Sequence, residues 1–328
     1  MKAAYYERLG PARDVLRVGD LPDPVPAAGE VRVRLLWSGV NPSDVKSRLG
    51  LRSGVMPFPR VIPHSDGMGV IDAVGAGVPA ARIGERVWTW NAAWGRAHGT
   101  ACERVCLSAE QAVPLPDAVD DEVGACLGIP ALTALHAVLL DGGVAGKTVL
   151  VAGGAGAVGH YAVQMAGLLG AARVIASVST AEKAELARAA GADDVVFYRS
   201  EPLAERVAEL TGGRGVDRLI EVDVGVNGAV DLEMLRPGGE CVAYGSSATT
   251  LQLPFYPLIA KNLQLRFFIV YHLAPADRAV AVATLTRMLE RGRLQHNIAA
   301  RLALDDIATA HEMVERGSVA GNVVLRVG

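Results

Sequence analysis

A glycine-rich turn in the middle of the chain has the spacing of a phosphate-binding loop. Residues 147–159 read KTVLVAGGAGAVG, in which Gly154, Gly156 and Gly159 follow a short apolar strand, and a helical pattern over 160–169 comes next. Glycines at these positions permit a tight turn, the approach of a pyrophosphate to the main chain and close packing of the helix on the strand. Phosphates would then meet the N–H groups and positive dipole end of that helix. We therefore predict a dinucleotide site, the alternative being a merely structural turn.

The next strand carries residues suited to a phosphate on the adenosine ribose. NAD-selective sites place an acidic residue about 20 residues after the glycines, where it binds the 2′-hydroxyl. Here the strand ends ASVST at residues 176–180, without an acid at its tip, and Lys183 follows. A cation beside small hydroxyl groups suits a 2′-phosphate, so we predict NADPH. The alternative is a solvated lysine in the first turn of a helix. The negative charge of the neighbouring Glu182 disfavours a phosphate at this place.

Metal-ligating side chains do not form a recognisable site in the sequence. Cys102 and Cys106 have no second pair nearby, whereas a structural zinc ion needs four ligands. With Cys126 and Cys241 the chain has four cysteines, which is far fewer than a disulfide-stabilised protein would have. We expect reduced thiols and no bound metal.

Length and composition indicate a globular protein of two domains. The chain has 328 residues, and a chain of this length usually has more than one hydrophobic core. Of these residues, 51% are hydrophobic and 20% are charged. Its formal charge of −3 gives no electrostatic attraction to nucleic acid or to an anionic membrane. No apolar run reaches the ~18 residues that span a bilayer, and the N-terminus MKAAYYERLG has no signal pattern. We expect a cytoplasmic protein.

The first part of the chain, to about residue 124, has the pattern of β-structure. Short alternating runs, such as 31–35, 69–74 and 86–90, are separated by glycine and proline turns. The prolines exclude long helices there.

Strand and helix patterns alternate in the second part. Residues 123–140 suit a buried helix, with Pro130 near its start or at a kink. The predicted strands are 148–152, 173–178, 195–198, 218–222 and 240–244, and the predicted helices are 160–169, 181–190, 203–210 and 230–235. Such alternation implies a doubly wound parallel sheet covered by helices on both faces. In the tail, 277–290 and 307–316 suit helices and 323–327 a strand.

Five segments in order along the chain form a recognisable set. They are NPSD at 41–44, SDGMGVIDAVG at 65–75, GERV at 84–87, GIPALTA at 128–134 and VLVAGGAGAVG at 149–159. Together they resemble the quinone oxidoreductase (zeta-crystallin-like) branch of the medium-chain dehydrogenase/reductase superfamily, and the likeness runs on to GNVVL at 321–325. The resemblance implies an α/β protein with a GroES-like β-rich catalytic domain, residues 1–124 and 270–328. A Rossmann NADPH-binding domain, 125–269, would be inserted between these segments.

The resemblance also implies roles for individual residues in binding the cofactor. The matched positions are Asn41, Thr133, Gly153, Gly154, Gly156, Ala157, Val158, Gly159, Ser179, Lys183, Tyr198, Gly245 and Ser246. Asn41 and Thr133 would line the nicotinamide, and the turn from Gly153 to Gly159 would hold the pyrophosphate. Ser179, Lys183 and Tyr198 would hold the 2′-phosphate, and Gly245 with Ser246 would form a loop over the nicotinamide half. Taken alone, Asn41 reads as a turn residue and Tyr198 as an aromatic at a strand end.

Positions that ligate zinc in related dehydrogenases hold other residues here. Ser38 lies in the region of an early cysteine ligand, and Ser65 and Asp66 stand where a His-Glu pair would be. His64 is one position off and has no companion ligands. The resemblance thus implies a zinc-free enzyme, in which hydride passes to an acceptor that is already electrophilic, such as a quinone or an activated C=C bond.

Two departures from the family leave the proton donor and the substrate unassigned. Residues 48–52 read RLGLR where several quinone reductases have a tyrosine, and 101–103 read ACE in place of Tyr-Ala-Glu. The candidates for the substrate pocket are Asn41, Trp90, Asn91 and Trp94. These tryptophans could stack on a planar acceptor or equally pack a loop.

The apolar run LQLRFFIV at 263–270 reads as an edge strand of the Rossmann sheet. Its family counterpart pairs across a two-fold axis, which would bury an otherwise exposed edge. We therefore expect a homodimer, the alternative being a core strand in a monomer.

Three functions are compatible with the sequence. The first is NADPH-dependent reduction of quinones, and the second is reduction of α,β-unsaturated carbonyls or enoyl thioesters. In either case the partner is a small molecule. The third, which the resemblance implies, is a non-catalytic crystallin-like or RNA-binding role. The absence of a basic or aromatic-rich surface pattern disfavours it.

Overall fold

The computed structural model describes residues 1–328. The strands are β1 Lys2–Tyr5, β2 Arg17–Asp20, β3 Glu30–Val40, β4 Asp66–Val74, β5 Arg86–Thr89, β6 Arg104–Ser108, β7 Ala112–Pro114, β8 Thr148–Val151, β9 Arg173–Val178, β10 Asp194–Phe197, β11 Val216–Glu221, β12 Leu235–Ala243, β13 Gln264–Phe267, β14 Ile298–Ala303 and β15 Asn322–Arg326. The α-helices are α1 Ala12–Val15, α2 Pro42–Arg48, α3 Asp121–Gly124, α4 Leu132–Leu139, α5 Ala157–Leu168, α6 Ala181–Ala189, α7 Leu203–Leu210, α8 Val224–Met234, α9 Phe255–Ala260, α10 Pro275–Glu290 and α11 Ile307–Glu315. None of the helices has both the length and the apolar character required to span a lipid bilayer.

The chain divides into two compact units. The first combines Met1–Pro130 with Thr286–Gly328, and the second is Ala131–Leu285. The prediction from the sequence placed the boundaries at 124/125 and 269/270. In the structure the second division falls inside α10, and a continuous helix offers no change in sequence pattern that would reveal such a boundary.

The first unit is built on a seven-stranded β-sheet. Its order is β14-β15-β3-β4-β5-β7, with β6 paired to β3, and only β14 and β15 are parallel to each other. Along β3 the side chains of Val31, Val33 and Leu35 are buried while those between them are not. This period of two is typical of a strand with one face on a core. The β-rich character predicted for this region is confirmed.

The second unit contains a six-stranded parallel sheet. Its order is β10-β9-β8-β11-β12-β13, and every residue of β8 is buried, as expected where both faces of a parallel sheet are covered. The order reverses between β8 and β11. Ligands of such sheets bind at that switch point, beyond the carboxyl ends of the strands. The predicted doubly wound fold is confirmed, and β13 is an edge strand as predicted.

Two local predictions differ from the structure. The helix expected over 123–140 is broken into α3, a π-helical segment Leu127–Ala131 and α4. Pro130 lies inside the π-helical segment, where its missing N–H and its ring are incompatible with a regular α-helix. The helix α2 was not predicted, because its Asn41-Pro42 start also reads as a turn.

A buried ion pair joins the neighbouring strands β11 and β12. Arg218 is fully buried, and its Nη2 lies 2.6 Å from Oε2 of Glu240, whose side chain is 8% exposed. The same guanidinium donates to the carbonyls of Ala137, Val138 and Leu140 at the end of α4. One cation thus holds the sheet to the helix beside it.

Replacement of this cation should destabilise the second unit strongly. In Arg218→Ala the Glu240 carboxylate and three carbonyls lose their donor, and we expect a loss of about 3–5 kcal/mol in the free energy of unfolding, measured by urea denaturation followed by circular dichroism. Arg206→Ala is the control, since Arg206 and Glu209 form an exposed pair on α7 that should contribute nothing measurable. Equal effects of the two substitutions would contradict this account.

Candidate functional site

The glycine turn of the second unit joins β8 to α5 and lies against β9. The Gly154 N–H donates to the Ser177 carbonyl at 3.0 Å, and the Gly153 N–H reaches the Ser177 hydroxyl at 3.3 Å. A Cβ atom on Gly154 would lie 2.6 Å from Cβ of Ala176, and one on Gly159 would lie 2.2 Å from the Gly153 oxygen. Gly153 itself has a φ of 65°, which disfavours other residues. The turn therefore packs against β9 on one side and against α5 on the other more closely than any side chain would allow.

The start of α5 is arranged to receive an anion. Gly156 is the N-cap, and no side chain caps the helix. The first-turn residues are Ala157, Val158 and Gly159, whose N–H groups lie at the positive end of the helix dipole. The next helix, α6, differs, because the Thr180 hydroxyl accepts from the Lys183 N–H at 3.3 Å. The N-terminus of α5 thus has no side-chain cap and can receive a phosphate, whereas the N-terminus of α6 is already capped by Thr180.

The predicted adenosine residues gather at the carboxyl ends of β9 and β10. The Tyr198 N–H donates to the Val178 carbonyl at 3.1 Å, which sets Tyr198 beside Ser179. Lys183 lies in the first turn of α6, only four residues beyond Ser179. The Tyr198 side chain is 46% exposed, and Glu182 is exposed. A hydroxyl, a phenol and a cation therefore share one accessible edge of the sheet.

The loop after β12 is held at the carboxyl end of β11. The Gly245 carbonyl accepts from the Val224 N–H at 3.2 Å, and a Cβ on Gly245 would lie 2.3 Å from the Val222 oxygen. Ser246 closes the loop by donating to the Ala248 carbonyl at 2.8 Å. The remaining predicted residue of this unit, Thr133, is buried near the start of α4.

A residue that the sequence reasoning missed fixes this loop. Asp223 accepts from both the N–H and the hydroxyl of Ser247, each at 2.7 Å. Its own N–H donates to the buried Glu221 carboxylate at 2.5 Å. The pKa of nearby Asp231 is raised to about 8, mainly by burial and in addition by the negative charge of Glu221. The position of an aspartate just after a predicted parallel strand is the signal that could have identified Asp223 as the residue that holds this loop.

In the first unit, Asn41 is the most extensively fixed of the predicted residues. It is the N-cap of α2, and its main-chain N–H donates to Oδ2 of Asp44 at 2.8 Å. Its side-chain Nδ2 donates to Oδ2 of Asp66 at 2.9 Å. Asn41, Asp44 and Asp66 are all buried, so the orientation of the Asn41 amide is set by hydrogen bonds within the protein.

Both carboxyl groups beside Asn41 are in an environment that favours the neutral acid. Burial raises the pKa of Asp44 to about 7, against the opposing effects of the Asn41 N–H and the Arg52 charge. Burial also raises the pKa of Asp66 well above its ordinary value. Gly128 closes the other side of Asp66, because a Cβ there would lie 2.4 Å from Oδ1 of Asp66. The sequence identified Asp66 only as a substitute for a zinc ligand.

The segment containing the remaining pocket candidates is tied to the same place. The N–H groups of Ala92 and Ala93 donate to the carbonyl and hydroxyl of Ser65, at 3.2 and 3.4 Å. Ser65 directly precedes Asp66, the partner of Asn41. Residues 90–94, which contain Trp90, Asn91 and Trp94, are therefore joined to Asn41 through two consecutive residues. The structure thus brings the four pocket candidates to one part of this unit.

His64 belongs to a buried hydrogen-bonded chain. Its Nδ1 lies 2.8 Å from the Ser38 hydroxyl, which lies 2.9 Å from the Thr100 hydroxyl, and its Nε2 lies 2.9 Å from Nε2 of His311. Burial lowers the pKa of His64 to about 3, so the ring is neutral. The structure contains no group of three or more His, Cys, Asp or Glu side chains that could hold a metal ion.

Comparison with known proteins relates the chain to oxidoreductases along its whole length. It matches the family described as alcohol dehydrogenase GroES-like domain over residues 27–117 and the family described as zinc-binding dehydrogenase over residues 157–287. The quinone oxidoreductase of Homo sapiens is 31% identical over 326 residues, which cover 98% of this chain and 95% of that protein.

Solved structures of related enzymes share the fold. An NAD-dependent alcohol dehydrogenase has a TM-score of 0.92 at 30% identity, with all of both chains covered. The quinone oxidoreductase of Escherichia coli complexed with NADPH has a TM-score of 0.87 at 26% identity, covering 99% of this chain and 100% of that one. A 2-haloacrylate reductase has a TM-score of 0.84 at 29% identity, covering 99% of each chain.

The neutral His64 should make stability depend on pH. Its ordinary pKa of 6.5 falls to about 3 in the folded protein, so the unfolded chain binds a proton first and stability declines as pH falls from 6.5 towards 3. We expect His64→Asn to reduce this slope by up to about 1.4 kcal/mol per pH unit, measured by urea unfolding between pH 7 and pH 4. His272→Asn, at an exposed position, should leave the slope unchanged; a similar change in both variants would refute the assignment.

Proposed function

We propose that this chain, which belongs to the quinone oxidoreductase branch of the medium-chain dehydrogenase/reductase superfamily, transfers a hydride from NADPH to a quinone. The family makes it an oxidoreductase. The observation that carries the choice of cofactor is the group formed by Ser179, Lys183 and Tyr198, at the same sheet edge as the glycine turn. The E. coli relative was solved with NADPH.

The residues present fit a dinucleotide. The turn after β8 leaves no space for a Cβ at Gly154 or Gly159, as the tight turn and the close helix–strand packing of a dinucleotide-binding motif require. Gly156 is the second glycine of the motif, at which a pyrophosphate approaches the main chain. We assign the phosphates to the N–H groups of residues 157–159. We assign the nicotinamide half to Asn41, Thr133 and the loop at 245–246. When bound, the cofactor supplies the hydride, and the protein supplies position and a polar environment.

The choice of NADPH over NADH rests on charge. A 2′-phosphate brings negative charge to the end of β9, where Lys183 and two hydroxyl groups are available and an acidic side chain at the strand tip is missing. Lys183 also stands at the N-terminal end of α6, where the helix dipole adds to its positive potential. An NAD-dependent relative has the same fold, so the fold alone does not decide between the two cofactors.

A second candidate acceptor is an activated C=C bond. It is favoured by the likeness to a 2-haloacrylate reductase. Asn41, Trp90, Asn91 and Trp94 are the residues that we assign to the acceptor pocket, where tryptophan rings suit any planar conjugated molecule. Enones and enoyl thioesters belong to the same class of acceptor.

The decisive experiment follows oxidation of NADPH by the purified protein. The acceptors are ortho- and para-quinones, enones and enoyl thioesters, and NADH is the comparison cofactor. Quinone turnover with NADPH supports the proposal. Turnover of enones without quinones would transfer the function to the second candidate.

We also propose a homodimer formed through β13. This strand is at the edge of the sheet, and large apolar side chains around it are exposed, among them Phe267 at 57% and Phe255 at 71%. An uncovered apolar edge is a hazard in a monomer, and antiparallel pairing of two copies would cover it.

The four cysteines are free and buried, which suits the reducing cytoplasm that we propose as the location.

Removal of the Lys183 charge should weaken NADPH binding selectively. We expect Lys183→Ala to raise the KM for NADPH by about 10- to 100-fold, the range for a charged hydrogen bond, with the KM for NADH changed little. Steady-state kinetics with one saturating acceptor measure both values. Arg188→Ala is the matched control, because Arg188 lies in the last turn of the same helix and pairs with Glu185. An equal rise for NADH would refute the assignment of the 2′-phosphate.

A charge on the edge strand should dissociate the dimer. Phe267→Asp would place an unpaired carboxylate in the proposed interface, so we expect a monomer by size-exclusion chromatography with light scattering where the unsubstituted protein is a dimer. Val280→Asp is the control, at a similarly exposed apolar position, 56%, on α10. A dimer that persists in Phe267→Asp would exclude this interface.

A further inference from the structure

Two buried carboxyl groups lie side by side at the carboxyl end of β11. Glu221 is the last residue of this strand and Asp231 lies two turns into α8, and each is 1% exposed. The Asp231 carboxyl group donates a hydrogen bond to that of Glu221, and its buried Oδ2 atom has no N–H or O–H donor from any other residue. Because two adjacent carboxylates repel each other, such a pair retains one proton.

The Glu221 carboxyl group fixes the connection between β11 and α8. Its Oε1 atom accepts from the Asp223 N–H at 2.5 Å and from Nδ2 of Asn227 at 3.0 Å. Asp223 is the N-cap of α8. Asp223, Asn227 and Asp231 follow one another at intervals of four residues, which places them along one face of the helix. The end of the strand and the start of the helix are therefore held through the two acids.

The same connection anchors the loop after β12. The N–H and the hydroxyl of Ser247 donate to the Asp223 carboxylate, each at 2.7 Å. Beside them, a Cβ atom on Gly225 would lie 2.4 Å from Oγ of Ser246. This loop contains residues 245–246, which we assign to the nicotinamide half of the cofactor. Its position thus follows the position of the connection that Glu221 fixes.

The other titratable groups packed around α8 stay neutral, have partners of their own or face solvent. Burial raises the pKa of the Cys241 thiol and that of the Tyr244 phenol well above their ordinary values. Lys261, after α9, donates to three carbonyls at the C-terminal end of α8, and Arg206 of α7 pairs with Glu209. The exposed members of this group are Glu205, Glu233 and Tyr256. The charge at the connection therefore depends on the pair of acids itself.

We propose that Asp231 is a positioning residue of the cofactor site, and that it holds the loop at 245–246 in place only as the neutral acid. This inference rests on the proposed function, from which it takes the assignment of the nicotinamide half. When the proton of the pair passes to water, two negative charges face each other in a buried place. Glu221 then moves away from the N–H of Asp223, and the loop that Asp223 holds loses its anchor.

Burial sets the pH at which this change occurs. It raises the pKa of Asp231 to about 8, with an added contribution from the Glu221 charge, and it also raises the pKa of Glu221. The pair therefore keeps its proton at neutral pH and loses it above about pH 8. Because the cofactor binds the protonated form, its Kd should rise above this pH, by up to about ten-fold per pH unit for one linked proton.

The test is a titration of the protein with NADPH, followed by nicotinamide fluorescence between about pH 7 and about pH 9.5. Circular dichroism at each pH verifies that the protein stays folded. The comparison ligand is 2′-phospho-ADP-ribose, which has the adenosine half of NADPH and lacks the nicotinamide, and its Kd is obtained by competition. We expect the Kd of NADPH to rise and that of 2′-phospho-ADP-ribose to stay nearly constant. Because both ligands have the 2′-phosphate, a change at Lys183 would affect them equally.

Two substitutions identify the group that loses the proton. Asp231→Asn removes the titrating group and keeps a donor to Glu221, so it should bind NADPH at pH 7 like the unsubstituted protein and show no rise in Kd at higher pH. Glu233→Gln is the matched control, because Glu233 is an exposed acid on the same helix; it should keep the rise.

A third substitution tests the loop without changing either buried acid. Ser247→Ala removes one of the two hydrogen bonds to Asp223. It should raise the Kd of NADPH by about 10-fold at every pH, the effect of losing a hydrogen bond to a charged group, and leave that of 2′-phospho-ADP-ribose unchanged. Equal weakening of both ligands would separate the loop from the nicotinamide half and contradict the inference.

Three further results would overturn it. A constant Kd of NADPH across this pH range would show that no proton is required. A parallel loss of 2′-phospho-ADP-ribose would place the effect outside the nicotinamide half, and an unchanged rise in Asp231→Asn would assign the proton to another group. In each case NADPH still binds and acceptors can still be reduced, so the proposed function survives. Conversely, absence of NADPH oxidation with every acceptor would remove the proposed reaction and leave the pH dependence of binding intact.

Discussion

The approach of main chain to main chain at the turn after β8 is the constraint on which the dinucleotide site depends. Gly154 and Gly159 have no space for a Cβ atom against Ala176 and the Gly153 carbonyl. Because the turn is this tight, α5 begins directly above β8 with its first N–H groups at the carboxyl edge of the sheet. The same edge holds the ends of β9 and β10, and with them Ser179, Lys183 and Tyr198. Their position at the ends of neighbouring parallel strands assembles these groups.

Burial of polar groups has the corresponding role in the first unit. Asn41 and Asp66 are hydrogen-bonded to each other where neither meets solvent, and a buried amide with an unsatisfied donor would be costly. The pair therefore fixes the side chain that we assign to the nicotinamide. Ser38, His64 and His311 continue this pattern with neutral groups in a hydrogen-bonded chain. Because the Ser38 hydroxyl and both ring nitrogens of His64 have partners, the arrangement favours rigidity in this part of the unit.

The surface is less constrained than the cores of the two units. The edge of β13, with its exposed apolar neighbours, is where we propose that a second copy of the chain binds. Substitutions at such a surface alter partners without altering the fold.

The sequence by itself determined the features that depend on local periodicity and backbone freedom. The alternation of strand and helix patterns predicted the parallel sheet, and the glycine spacing predicted the turn, because both follow from interactions within a few residues. The π-helical break at Pro130 was only partly foreseen, since a proline predicts a disruption without its form. What only the tertiary structure decided are the pairings across long separations. His64 meets His311, 247 residues away, and Asn41 meets Asp66, 25 residues away. No local pattern encodes such partners, because they are selected by the packing of strands and helices that lie far apart in the chain.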